Sequence, residues 1–226
     1  MKRFIVVLAI VLLQCKPATG TEPVVLELFT SQGCSSCPPA DELLRELRKQ
    51  PGVIALAYHV DYWDRLGWRD PFSSREWSER QGEYVRAMKL ESSYTPQIVI
   101  NGSRQMVGST GFAIRGAIDQ ESKRKPEGRV SLDVRNGKVF VRAESTKPTE
   151  LIVVAYENGI TTKITSGENS GRTQTSDSIV RKLVRLGTVS GAVEKHVPLA
   201  LTKSMGVVAF LQDPATRRIT TAASRP

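Results

Sequence analysis

Cys34 and Cys37 are separated by Ser35-Ser36 and followed by Pro38-Pro39, at the point where an apolar run gives way to a helix-like pattern. A C-x-x-C pair at the start of a helix aims backbone N–H groups and the positive end of the helix dipole at the first sulfur. That lowers the thiol pKa and makes the thiolate a usable nucleophile. The second cysteine is then placed to resolve a mixed disulfide. Two other readings stay open, a disulfide that only closes a loop and half of a zinc site. A structural zinc needs about four protein ligands, and the chain offers one further cysteine, Cys15, and two histidines, His59 and His196. A two-residue spacer closes a loop too small to restrain much of the unfolded chain, so a staple gains little and redox use is favoured.

The elements that must hold this pair can be read on either side of it. Val24 to Phe29 is a short apolar run of strand formers, as in a buried strand. Leu43, Leu44 and Leu47 then recur at helical spacing until Pro51-Gly52 ends the segment, with Pro38 in the first turn where its missing N–H costs nothing. Val53 to Val60 is a second buried strand, giving a strand-helix-strand start and a parallel pair. Residues 61–93 form an aromatic and acidic insertion that holds all three tryptophans and a helix-compatible stretch from Ser73 to Leu90. Tyr94-Thr95-Pro96 leads into the strand Gln97 to Ile100, an Asn-Gly turn, a short strand to Gly108 and a helical pattern from Gly111 to Glu121.

Lys2-Arg3, ten apolar residues from Phe4 to Leu13, and the small residues Ala18 and Gly20 read as a signal peptide over residues 1–20, hence a secreted or periplasmic protein. Leu12-Leu13-Gln14-Cys15 is a degenerate lipoprotein box, so a lipid anchor through Cys15 is the alternative, and membrane contact is expected only in that case. Thr21 to Glu121 carries eleven Lys and Arg against fourteen Asp and Glu, and Ser122 onward eighteen against nine. That shift, with the charged stretch at 123–128, suggests a linker between an α/β domain at 21–122 and a smaller all-β, sandwich-like domain at 129–226. In the second half, strand pairs flank Asn136-Gly137, Glu157-Asn158-Gly159 and the segment between Leu211 and Ile219. Its positive charges are dispersed and its aromatics few, which argues against nucleic acid.

The order of elements, with Cys34-Ser35-Ser36-Cys37 and Thr95-Pro96, resembles the thioredoxin fold over Pro23 to about Ser122. More narrowly, Phe29 to Asp41, Tyr58 to Asp64 with Gly67-Trp68, and Tyr94 to Gln97 resemble an exported bacterial family catalogued as domain of unknown function 1223. The resemblance implies roles residue by residue: Cys34 as attacking thiol, Cys37 as buried resolving thiol, and Pro96 as a cis-proline beside which a substrate backbone lies. Ser35-Ser36 in place of Gly-Pro, and the missing tryptophan in Thr30 to Gly33, depart from thioredoxins.

Thr95, Tyr62, Trp63 and Trp68 are the candidate substrate groove, and Glu27, in the strand leading to the motif, is a candidate proton carrier. Cys34, Cys37 and His59 form the weaker alternative, a metal site of the kind copper carriers use. Gly167 to Arg172 is similar to a further motif of the same family, in which Glu168, Asn169 and Arg172 are candidates to contact the other half. The expected function is thiol-disulfide exchange with a thiol- or disulfide-containing envelope protein, without any cofactor. The alternative is a non-catalytic envelope binding module or copper carrier.

Overall fold

The computed structural model describes residues 22–199 and 201–226. The signal-peptide reading and Cys15 fall outside them. Among these residues eleven strands and three α-helices are found, the first seven being β1 (Val24–Thr30), α1 (Pro38–Leu47), β2 (Val53–His59), α2 (Arg75–Ala87), β3 (Gln97–Ile100), β4 (Arg104–Val107) and α3 (Gly111–Ser122). The chain then adds β5 (Arg129–Arg135), β6 (Lys138–Glu157), β7 (Ile160–Lys163), β8 (Thr173–Ser176), β9 (Ile179–Val197), β10 (Met205–Gln212) and β11 (Ile219–Arg225).

All seven residues of β1 are buried because both of its faces are covered. Val24, Leu26 and Leu28 pack with Ala55, Ala57, Ile98 and Ile100 beneath the apolar stripes of α1 (Ala40, Leu44, Leu47) and α3 (Ile114, Ala117, Ile118). Strand alternation sends Val25 and Phe29 to the other side. There they meet Trp77 and Tyr84 of α2 together with Ile152, Val154, Val180, Val208, Phe210 and Ile219 from the second half.

That shared cluster overturns the expected architecture. Instead of a thioredoxin-like α/β domain followed by a separate sandwich-like β domain, nine strands form one mixed sheet in the order β11-β10-β6-β9-β2-β1-β3-β4, with β5 on the outer part of β6. The two parts of the sheet join where β2 and β9 run parallel at Ala57 and Ile179, and Ala57 N–H donates to Ser178 O at 2.7 Å. The shift in charge that suggested two bodies records solvent-facing side chains, and these do not decide which apolar faces pair. The 123–128 stretch is itself tied down, since Glu127 N–H donates to Thr220 O and its carboxylate pairs with Arg218 and Lys147.

The Asn-Gly turns behave as read. Asn101-Gly102 and Asn136-Gly137 have positive φ at both positions and close the β3–β4 and β5–β6 hairpins. Glu157-Asn158-Gly159 does not make a hairpin of its two flanking strands, because β6 is already paired with β9 and β10 on its two sides. β7 instead turns away to pair with β8, in a two-stranded hairpin off the main sheet.

Candidate functional site

Cys34 and Cys37 are joined by a disulfide, with Cα atoms 5.4 Å apart, and Cys37 is the N-cap of α1. Pro38 and Pro39 take the first two helical positions, so two N–H donors expected at the helix start are absent. Hydroxyls do that work at the first sulfur. Thr95 Oγ1 donates to Cys34 Sγ at 3.3 Å, and Ser36 Oγ lies 3.3 Å from the same sulfur. Trp63 Nε1–H donates to Thr95 Oγ1 at 2.7 Å, which leaves the threonine hydrogen free to point at sulfur. The Thr95–Pro96 peptide bond is cis, and Pro96 O accepts from Gly108 N–H on the way into α3.

Of the candidate groove residues, Thr95 and Trp63 therefore reach Cys34. Trp68 stands one step back, its Nε1–H donating to Gln32 Oε1 at 3.2 Å. Tyr62 turns toward α2, donating to Gln81 Oε1, and burial pushes its phenol up to about 12. Glu27 sits on the sheet face opposite α1. There its carboxylate is held by Arg80 at 2.6 Å and by the Tyr84 hydroxyl, so it serves an ion pair under the sheet and has no part beside the sulfurs.

His59 Nδ1 is 2.7 Å from Asp70 Oδ2, and Asp70 also accepts from Gln32 N–H and Phe72 N–H. Burial works against the imidazolium, yet the Asp70 carboxylate, helped by Asp41, holds the His59 pKa above 6.5. Burial likewise opposes the Asp70 charge, and His59 and the two backbone donors overcome it, keeping that carboxyl below 3.8. Among the described residues no group of three or more His, Cys, Asp or Glu is placed to hold a metal, so His59 is not gathered with the cysteines into one.

Sequence reasoning passed over Asp41 as a polar helix residue, although it lies one turn after Cys37 on the same face of α1. Its carboxylate accepts from Thr30 Oγ1 at 2.8 Å and from Gln174 Nε2 at 2.9 Å. Burial raises its pKa to about 6 against the lowering effect of His59 and these two bonds, with Asp70 adding to the rise. A carboxyl whose folded pKa exceeds its unfolded one stabilises the fold fully below about pH 3.8, and that contribution fades as pH rises through about 6. Asp41→Asn should remove this slope. Urea unfolding at pH 4 and at pH 7 should show the variant gaining about 2 kcal/mol on the wild type between the two pH values, at about 1.4 kcal/mol per pKa unit with some solvent discount. Parallel curves would deny Asp41 its shifted pKa.

The second half closes over the pair. Ser35 N–H donates to Glu168 Oε2 at 3.1 Å, and Asn169 Nδ2 donates to Gln32 O at 2.9 Å and Cys34 O at 2.8 Å. Ser166 Oγ donates to Gly67 O at 2.6 Å, and Arg45 of α1 reaches Asp177 and the Thr175 carbonyl at the base of the hairpin. Arg172 N–H bonds within its own loop, to Asn169 O. Under this cover both cysteines are 0% exposed, while Ser35 and Ser36 face solvent.

A family model described as a protein of unknown function (DUF1223) matches residues 25–212, which include the cysteines, the cis-proline and the covering loop. The chain belongs to this family. The crystal structure of protein AGR_C_4864 from Agrobacterium tumefaciens is similar over 89% of this chain and 92% of that one, at 29% identity and a TM-score of 0.77. The match runs through both halves of the sheet. HBP35 of Porphyromonas gingivalis is similar over 92% of this chain and 76% of that one, with a TM-score of 0.66 and 16% identity, a likeness of fold alone. No curated protein matches the chain.

Proposed function

We propose that the protein is an exported thiol-disulfide oxidoreductase acting on a thiol- or disulfide-containing envelope partner. The observation that carries this reading is the pair of hydroxyls, Thr95 Oγ1 and Ser36 Oγ, each 3.3 Å from Cys34 Sγ in a disulfide that caps a helix. Such donors stabilise a thiolate at that sulfur more than a thiol, which is what a reversible exchange needs. A partner thiolate attacks Cys34 Sγ, the bond to Cys37 breaks, and its electron pair leaves on Cys37, which takes up a proton. A second partner thiolate then displaces Cys34 from the mixed disulfide, so that the partner leaves oxidised and the protein reduced by two electrons. Run backward, the same steps reduce a partner disulfide, and neither direction calls for a cofactor.

The test equilibrates the Cys34/Cys37 pair against glutathione redox buffers. A single two-electron transition is expected, with Cys37→Ser accumulating a mixed disulfide at Cys34 and Cys34→Ser losing it entirely. A pair that stays oxidised in every buffer, with no mixed disulfide in Cys37→Ser, would reduce the bridge to a structural one.

A further inference from the structure

The loop between β7 and β8 touches the site through groups that a bound polypeptide would use. Ser35 N–H, Gln32 O and Cys34 O are backbone groups of the turns that precede α1, and they are met by one carboxylate and one amide, from Glu168 and Asn169. Gln32 Nε2 and Asn169 Oδ1 are buried there without hydrogen-bond partners, although Gln32 and Asn169 are 0% and 1% exposed. An unpaired donor and an unpaired acceptor in the same contact mean that the internal pairing is incomplete, a cost that an incoming peptide group can relieve.

We infer that Glu168-Asn169 stands in for the partner, and that the segment accepted at Cys34 is an acidic stretch of polypeptide bearing the reactive cysteine. This deepens the exchange reading and rests on it. The charge of the partner follows from the group being displaced. Ser35 N–H lies beside the positive end of α1 and is satisfied here by a carboxylate, so an Asp or Glu side chain replaces like with like, whereas a lysine would face a donor and a helix start. The two carbonyls, which share the Asn169 amide, take N–H donors of the kind any polypeptide supplies. The partner must break the Glu168 and Asn169 contacts to reach a sulfur that is 0% exposed, so reaction at Cys34 is coupled to recognition.

The test compares three cysteine peptides of equal length, flanked by aspartates, by serines or by lysines, as reductants of the oxidised full chain, with dithiothreitol as a small reference thiol. The aspartate peptide is expected to react about tenfold faster than the lysine peptide, with the gap narrowing as salt is raised. Glu168→Ala, which empties the place at Ser35, should raise the aspartate-peptide rate several-fold and the lysine-peptide rate by less. Equal rates for the three peptides, or no effect of Glu168→Ala, with dithiothreitol still reducing the bond, would overturn the inference and leave the exchange reading standing. If dithiothreitol and every peptide fail, even in Glu168→Ala with Asn169→Ala, the exchange reading falls and takes this one with it.

Discussion

Arg80→Met is expected to lower the unfolding free energy by about 3–5 kcal/mol, because it strands a buried carboxylate. Glu27 is 0% exposed and Arg80 2%, and their charged groups are 2.6 Å apart. The guanidinium also lies over the rings of Tyr58, Tyr84 and Phe210, at 5.4, 5.4 and 5.7 Å from their centroids. Methionine preserves most of the stem packing and removes only the charge and its donors. Glu27→Leu combined with Arg80→Met should recover most of the loss, since replacing both members of a buried pair by apolar groups is often close to neutral. Urea titrations of the two single variants and the double variant would measure the coupling directly. If Arg80→Met alone matched the double variant, Glu27 would have another route to neutrality. The pair also reports on architecture. Gln212 of β10 donates to Tyr84 OH at 2.9 Å, so β10 reaches the α2 tyrosine that holds the Glu27 carboxylate, more than a hundred residues back along the chain.

Gly102→Ala should be about as damaging, and for a reason that tests the joining of the two halves. Gly102 has φ +62°, and a Cβ there would collide with the Arg217 carbonyl, lying 2.9 Å from its carbon and 3.2 Å from Arg218 Cα. These atoms are backbone and cannot rotate aside. Left-handed backbone costs a residue with a Cβ about 1–2 kcal/mol, and overpacking adds about 1–3 kcal/mol, so a loss of roughly 2–5 kcal/mol is expected. Gly137 is the internal control. It occupies the same position in an Asn-Gly turn at φ +70°, with nothing within 4 Å of its Cβ. Gly137→Ala should therefore show the backbone cost alone. Equal losses for the two variants in urea unfolding would mean that the β3–β4 turn and the β10–β11 turn do not touch.

These two predictions concern the part of the fold that was hardest to read. β1, α1 and β2 were legible because each announces itself locally, in a run of apolar strand formers or a Leu stripe ended by Pro-Gly. β9 was missed altogether. Its pairing with β6 shifts register at three places, and it carries glycines at Gly187 and Gly191, so a two-residue alternation is lost even though the strand spans nineteen residues. The division into domains failed because Trp77 and Tyr84 of the insertion seek their partners in strands far downstream, which no local pattern reveals. At the site, the cysteines and the Thr95-Pro96 step were legible from spacing and resemblance. Asp41 was not, because a lone carboxyl in a first helical turn is ordinary until the sheet brings His59 and Thr30 beneath it.

The cover over the disulfide comes from far along the chain, Glu168 lying 133 residues after Ser35. At a synthesis rate of about 5–20 residues per second, the cysteines emerge roughly 7–27 s before the groups that will shield them. For that interval the two thiols of each new molecule stand open to whatever oxidant is at hand. The bond, worth two electrons, can thus be installed without any opening of the finished protein.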